Sequence, residues 1–285
     1  MKGYILERYD NMKNSYTCRR LMEEAGKRGV DLRTMGVHDS YLQIRGDSRI
    51  LMHKGYEAEQ VDFAFLRYKW GHLKDETAAL VGRCYNAPEA FALYVNKYEQ
   101  LKRLRSPHFA VPSSLLVTAQ FSYETAESVL GNPFVAKGLE SSMGREIFLI
   151  TGRQGWDQLR DEFGPEKEWL LQQFIEDSFG RDMRIFSLRG EAVAAMERRS
   201  GGDFRANVAL GAETKAIAIT EEIRQICRDL YRQTGLDFTG VDLLYGREMP
   251  WLCEINVMPG IEGMEKATDV NIAGLMMDTV LGDVK

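Results

Sequence analysis

The chain of 285 residues carries no paired-cysteine motif: Cys18, Cys84, Cys227 and Cys253 are scattered and show no CxxC spacing. That excludes a disulfide framework and predicts reduced thiols in a cytoplasmic protein. Histidine is equally sparse. His38, His53, His72 and His108 form no HxxxH or similar pair, so a zinc centre is not expected. No apolar stretch reaches the length of a membrane span and none precedes a cleavage site, so no membrane association is expected. There is no internal repeat and no low-complexity tract. Neither G-x-G-x-x-G nor the Walker A order G-x-x-x-x-G-K-[ST] occurs. The net charge of −5 argues against general nucleic-acid binding.

What is present is an ordinary globular composition, 44% hydrophobic and 28% charged, long enough for two or three sub-domains. The first third alternates strand-like and helix-like segments. Tyr4 to Leu6 reads as a strand, Ser15 to Arg28 as a helix, Leu32 to Val37 and Val61 to Leu66 as strands, and Asp75 to Arg83 as a helix, the pattern of a small open α/β domain. Tyr41 to Met52 holds short extended pieces. A helix opens at Asn96, with Glu99 at the capping-box position. Strands are then predicted over Val111–Leu116, Phe134–Lys137, Ile147–Ile150, Trp169–Phe174, Met183–Leu188 and Ala192–Met196. Thr220 opens a helix that Gly235 stops, and a short helix lies around Ile272 to Val280.

The most telling segment is a hairpin, Gly240-Val241-Asp242-Leu243-Leu244 and Leu252-Cys253-Glu254-Ile255-Asn256, with its turn near Glu248. In that register Asp242 faces Glu254, and Asn256 shares their side. Val241, Leu243, Cys253 and Ile255 would fill the other face. Two opposed carboxylates are costly unless a cation lies between them, and without a metal one should titrate high. All-oxygen ligation suits Mg²⁺, which usually arrives with phosphate. A plain wet hairpin face is the competing account.

Other segments are weaker alone. Lys137 ends a strand and precedes Gly138-Leu139-Glu140-Ser141-Ser142-Met143-Gly144-Arg145, a small-residue loop able to offer backbone N–H groups to phosphate. Lys97 lies in a first helical turn. Gln172 to Ile175 could hydrogen-bond an adenine edge through its backbone, or be plain strand. Asp182 and Arg184 could form a structural ion pair. Glu197 to Asn207 clusters Arg198, Arg199 and Arg205 about Gly201 and Gly202, suited to carboxylate or phosphate.

Together and in this order, residues from about Asn96 to Met277 resemble the ATP-grasp superfamily, specifically its RimK-like branch of carboxylate–amine ligases of the alpha-L-glutamate ligase type. The most specific stretches are Met196 to Asn207 and Gly240-Val241-Asp242 through Glu254-Ile255-Asn256-Val257-Met258-Pro259-Gly260-Ile261-Glu262-Gly263. The resemblance implies an α/β ATP-grasp fold: an N-terminal open α/β domain over 1–95, a central sub-domain over 96–175 and a C-terminal sub-domain with the metal site over 176–285. It implies ATP and Mg²⁺, or Mn²⁺, as cofactors. Lys97, Lys137, Ser142 and Gly144 would hold phosphates. Gln173, Phe174 and Ile175 would line the adenine hinge, with Asp182 near the ribose and Asn207 near the reacting phosphate. Arg184, Arg199 and Arg205 would be catalytic, and Asp242, Glu254 and Asn256 would ligate metal.

The implied reaction is ADP-forming. A carboxylate takes the γ-phosphoryl group and an amine displaces phosphate, joining an amino-acid donor to a carboxylate-bearing protein, peptide or metabolite, in a homo-oligomer. Such chemistry needs positioned charge and exclusion of water rather than a protein nucleophile, and the sequence offers no Ser-His or Cys-His arrangement. The loop from Gly138 to Arg145 is the expected lid. Gln173 stands where glutamate is common, and Val208-Ala209-Leu210-Gly211-Ala212 stands where protein-glutamylating members carry a basic residue and a Gly-Gly pair. A peptide-tailoring ligase that cross-links side chains of a ribosomally made precursor, and a kinase or non-catalytic nucleotide module on this fold, are the alternatives.

Overall fold

A computed structural model describes residues 1–9, 15–68, 72–79, 81–141, 145–206 and 211–283. Its N-terminal sheet is parallel, with strands β1 (Lys2–Glu7), β2 (Asp31–Gly36), β6 (Phe63–Leu66) and β7 (Arg83–Tyr85) in the order β2-β1-β6-β7. Ser15 caps α1 (Tyr16–Lys27) by accepting from the Cys18 amide, and the helix buries Cys18, Leu21 and Ala25. The extended pieces after β2 form a separate antiparallel sheet of β3 (Ser40–Arg45), β4 (Ser48–His53) and β5 (Tyr56–Glu57). Helix α2 (His72–Ala79) ends earlier than the sequence predicts. Arg83-Cys84-Tyr85 pairs with β6 instead, because Cys84 and Tyr85 are buried there.

Two short helices follow, α3 (Pro88–Tyr94) and α4 (Lys97–Arg103). The Asn96 side chain caps α4, accepting from the Tyr98 and Glu99 amides. Glu99 turns outward to Lys102 and Arg103. A four-stranded antiparallel sheet comes next, ordered β10-β9-β11-β8: β8 (Ser114–Thr118), β9 (Phe134–Gly138), β10 (Ile147–Ile150) and β11 (Glu168–Gln173). Helices α5 (Tyr123–Leu130) and α6 (Arg153–Phe163) cover one face. Strand periodicity divides the sheet. Phe134, Ala136, Trp169 and Leu171 enter the core under those helices, with Trp156 and Leu159. Val135, Lys137, Leu170 and Gln172 face the other way, and Lys137 pairs with Leu170 and Ile147.

The largest sheet is ordered β14-β13-β12-β15-β16, from β12 (Arg181–Leu188), β13 (Glu191–Arg199), β14 (Glu213–Ala216), β15 (Phe238–Leu244) and β16 (Trp251–Asn256). Helix α7 (Glu221–Thr234) packs on it through Ile223, Ile226, Cys227 and Leu230. Thr220 caps α7, and Gly235 stops it at φ +64°, a conformation glycine adopts without steric cost. On the opposite face Phe186, Ala194, Met196 and Phe238 meet α8 (Glu262–Thr268) and α9 (Ile272–Asp283). No helix among the described residues is long and apolar enough to cross a membrane.

Glu24 is the hub of an ion-pair network within helix α1 and its C-cap. Its side chain, 2% exposed, takes Lys27 at 2.7 Å, Arg28 at 2.6 Å and Arg20 at 3.2 Å. The Lys27 bond, with those to Arg28 and Arg20, outweighs burial and holds the carboxyl at about 2. A depressed carboxylate stabilises the fold above its unfolded value and loses that contribution as pH falls through the folded one. Glu24→Gln is expected to melt below wild type at pH 7, and the gap should close as pH falls from about 4.5 toward 2. Thermal denaturation across that range checks this, and a gap independent of pH would contradict it.

Candidate active site

Strands β12, β15 and β16 build a polar face from directly opposed residues. Arg184 is paired with Asp242, and Asp242 with Glu254, as the hairpin register predicts. Asn256 lies two residues beyond Glu254, on the same side. The apolar back differs from expectation by one residue. A bulge beside Asp242 sets Leu243 opposite Leu252, and both are 0% exposed. Cys253 is therefore turned out of the core, where Lys137 Nζ donates to its Sγ at 3.5 Å. A bulge inserts one unpaired residue and redirects its side chain. Behind the strand, Gln100 of α4 bonds both the Ile255 amide and its carbonyl, and the Asn86 side chain bonds Phe238 and the Val257 carbonyl. Sequence reading passed over both residues, because a buried Gln or Asn supporting a strand belongs to no motif.

The ion pairs also correct the expectation. Asp182 and Arg184 do not pair with each other. Being two apart on β12 they point the same way, and each finds a partner across the sheet. Arg184 grips Asp242 with Nε at 2.6 Å and Nη2 at 2.5 Å. Arg198 grips Asp182 at 2.7 and 2.6 Å and reaches Asp242 at 3.0 Å. Arg198 is only 4% exposed and acts as an internal counter-ion rather than an open anion ligand. Burial pushes Asp242 up, but the Arg184 and Arg198 guanidiniums outweigh it and hold it below the usual carboxylate value. Of the two carboxylates, one of which is expected to titrate high without a metal, Asp242 is not raised, because guanidinium supplies the cation. Burial instead raises Asp182 to about 6 against the pull of Arg198.

Arg199 alternates to the other face of β13 from Arg198 and pairs with Glu197 at 2.9 Å. Arg205 bonds Asp203 and reaches the Ile147 carbonyl of β10 at 3.4 Å. The Gln173 amide donates to the Ser113 carbonyl at 2.9 Å. Ile175 is 8% exposed, and the Phe174 ring meets Phe179 and Phe204 edge-on. Ser142, Gly144 and Asn207 lie outside the described residues, as does the middle of the expected lid.

The two lysines approach from the neighbouring elements. Lys97, 6% exposed, has its Nζ 2.5 Å from the Ser141 carbonyl and 3.4 Å from Glu254. Lys137 is also 6% exposed, and its one polar partner among the described residues is the Cys253 sulfur. A buried ammonium without an acid is costly, so a phosphate anion fits here. The oxygen donors fit Mg²⁺. Glu254 and Asn256 stand beside Asp242, and Asp242 Oδ1 accepts one bond, leaving it a free lone pair. Among the described residues no three acidic, His or Cys side chains converge, so water and phosphate oxygens would have to complete such an ion's shell.

Residues 95–280 match the RimK-like ATP-grasp domain. A probable alpha-L-glutamate ligase of Enterobacter sp. (strain 638) is 31% identical, over 98% of this chain and 95% of the relative. The ribosomal protein bS6–L-glutamate ligase of Escherichia fergusonii is 32% identical, over 97% and 94%. The fold is shared with the ATP-grasp ligase PsnB, solved with a phosphomimetic variant of a minimal precursor, Mg and ADP. That match has a TM-score of 0.72 at 16% identity and covers 99% of this chain and 98% of PsnB. By a domain spanning most of its length and by relatives that match it almost end to end, this chain belongs to the RimK-like ATP-grasp ligase family.

Proposed function

We propose that the protein is an ATP-dependent, ADP-forming carboxylate–amine ligase that joins glutamate or a similar amino acid to a protein or peptide in the cytoplasm, working as a homo-oligomer. The observation that carries this reading is the Lys137 ammonium, buried without an acid partner among the described residues and facing the sheet that bears Asp242 and Glu254. ATP and Mg²⁺ are the cofactors, and Mn²⁺ can replace Mg²⁺. Lys97 and Lys137, with Ser142 and Gly144, hold phosphates. Val135 and Leu170, on the same face as Lys137, wall the base beside Phe174 and Ile175. Asp242, Glu254 and Asn256 ligate the metal, whose charge offsets that of the phosphates as they react. Arg184 orients Asp242, while Arg205 and Asn207 stand at the transferring group. The segments 1–95, 96–175 and 176–285 serve as the sub-domains of this machine.

The carboxylate substrate attacks the γ-phosphorus and ADP leaves. The amine then attacks the acyl carbon, phosphate leaves, and the amine proton is lost to solvent. The names of the two glutamate ligases support the choice of amino acid. The test is ADP release by the purified protein across the twenty amino acids and acceptor peptides, with products weighed by mass spectrometry. Release that needs both an amine and a carboxylate supports the reading. Release with a carboxylate or hydroxyl alone and a phosphorylated product would make the protein a kinase. Arg205→Ala should lower kcat while the melting temperature stays within a few degrees, since its partner Asp203 is itself partly exposed. Unfolding with activity retained in the surviving fraction would assign Arg205 a structural role.

A further inference from the structure

The carboxyl ends of the N-terminal parallel strands carry a cluster that the reading above leaves unused. In the order β2-β1-β6-β7 the chain leaves β1 for one neighbour and later returns on its other side at β6. In open parallel sheets such a reversal opens a crevice beyond the carboxyl ends of the strands, where ligands bind. Here Arg8 and Tyr9 follow β1, His38 follows β2, and Arg67 and Tyr68 follow β6. The Arg8 guanidinium lies 5.2 Å from the Tyr9 ring centroid and 5.8 Å from that of Tyr68. His38 stacks on Tyr9 at 4.8 Å and stands 6.0 Å from Tyr68.

The two arginines differ in charge balance. Arg67 is neutralised by Glu7, 4% exposed, at 3.1 Å. Its Nη1 donates to the Pro259 carbonyl at 3.2 Å, tying the crevice to the chain just past Asn256. Arg8 makes no ion pair among the described residues. A guanidinium stacked on aromatic faces keeps its edge donors in a fixed fork, ready for a planar two-oxygen anion.

We propose that Arg8, set between Tyr9 and Tyr68, binds the non-reacting α-carboxylate of the incoming amino acid and so selects an amino acid over other amines. The inference rests on the ligase reading. An amino acid's α-carboxylate is one carbon from the attacking nitrogen. It must be held near the reaction yet kept off the metal, where it would compete with the carboxylate to be phosphorylated. Arg67, next to Tyr68, bonds the Pro259 carbonyl, and Pro259 packs against Gly240 of β15, which joins this end of the sheet to the strand that bears Asp242.

The test uses the full chain with Mg·ATP, L-glutamate or its α-amide, and an acceptor peptide. Wild type should prefer L-glutamate to the amide. Arg8→Gln should raise KM for L-glutamate about tenfold or more and erase the preference, with KM for ATP and peptide held. Arg8→Lys, which keeps charge without the fork, should fall between. Equal melting temperatures establish that the exposed site was altered without loss of fold. An active Arg8→Gln with an unchanged glutamate KM and intact preference overturns the inference while the ligase reading stands. A rise confined to the peptide KM overturns it too, by moving the contact to the acceptor. A wild type that releases no ADP with any pair of amine and carboxylate brings down the ligase reading itself.

Discussion

Asp242→Asn will nearly abolish ADP formation and will also lower the melting temperature. The first effect follows from the role proposed for Asp242 as a metal ligand. The second follows from the arginine pairing. Opposed carboxylates alone would suggest that neutralising one relieves repulsion and stabilises the fold. Asp242 is instead 3% exposed and held by Arg184 on both oxygens and by Arg198 on one. Breaking a buried ion pair from one side costs about 3–5 kcal/mol, or roughly 5–10 °C for a chain of this size. Arg198 retains Asp182, so the fold survives. Steady-state ADP release and calorimetric melting read the two effects separately. An equal or higher melting temperature would show that Arg184 and Arg198 do not hold Asp242 in solution.

Lys137→Ala will lower ATP affinity about ten- to a hundredfold, the worth of one charge-assisted phosphate contact. Its effect on stability should have the opposite sign. Without nucleotide the ammonium is buried beside a thiol whose titration burial has already pushed up to about 11, and desolvating a charge without an acid is unfavourable. The variant should therefore melt at or above the wild-type temperature alone and gain less from Mg·ATP. Isothermal calorimetry with a non-hydrolysable analogue measures the first effect, and paired melting curves measure the second. Equal affinity in two folded proteins would remove Lys137 from the nucleotide site.

How much was legible from residues alone depended on how local each feature is. The hairpin register was readable because a turn and a two-residue alternation specify it. The bulge beside Asp242 was not, because exchanging Leu252 for Cys253 in the core is decided by what packs behind the strand. The pairing of Arg184 with Asp242 and Arg198 with Asp182 needs β12 to lie between β13 and β15, an order no single segment specifies. Helices α1, α4 and α7, capped by Ser15, Asn96 and Thr220, are predicted near their true starts, whereas α5 is not predicted although Ser122 caps it. Helix α6 begins at Gly152 with no side-chain cap, and no start signal announced it. The crevice around Arg8 joins residues from three strands that are neighbours only after folding.

The sheet that carries Lys137 enters and leaves the rest of the protein through one paired ribbon, since the Ser113 carbonyl receives the Gln173 amide. Its aromatic and aliphatic core is drawn wholly from residues between Leu115 and Leu171. Residues 114–173 thus form a cassette with its two ends side by side, plugged into a frame that bears the carboxylates. At its far edge Lys97 clasps the Leu139 and Ser141 carbonyls. A nucleotide phosphate that recruits Lys97 draws on the same ammonium that fastens this edge to the Ser141 carbonyl. Loading the site and unfastening the cassette would then be one thermodynamic event, and the stiffness of the ribbon at 113 and 173 would enter the nucleotide affinity although neither residue carries a charge.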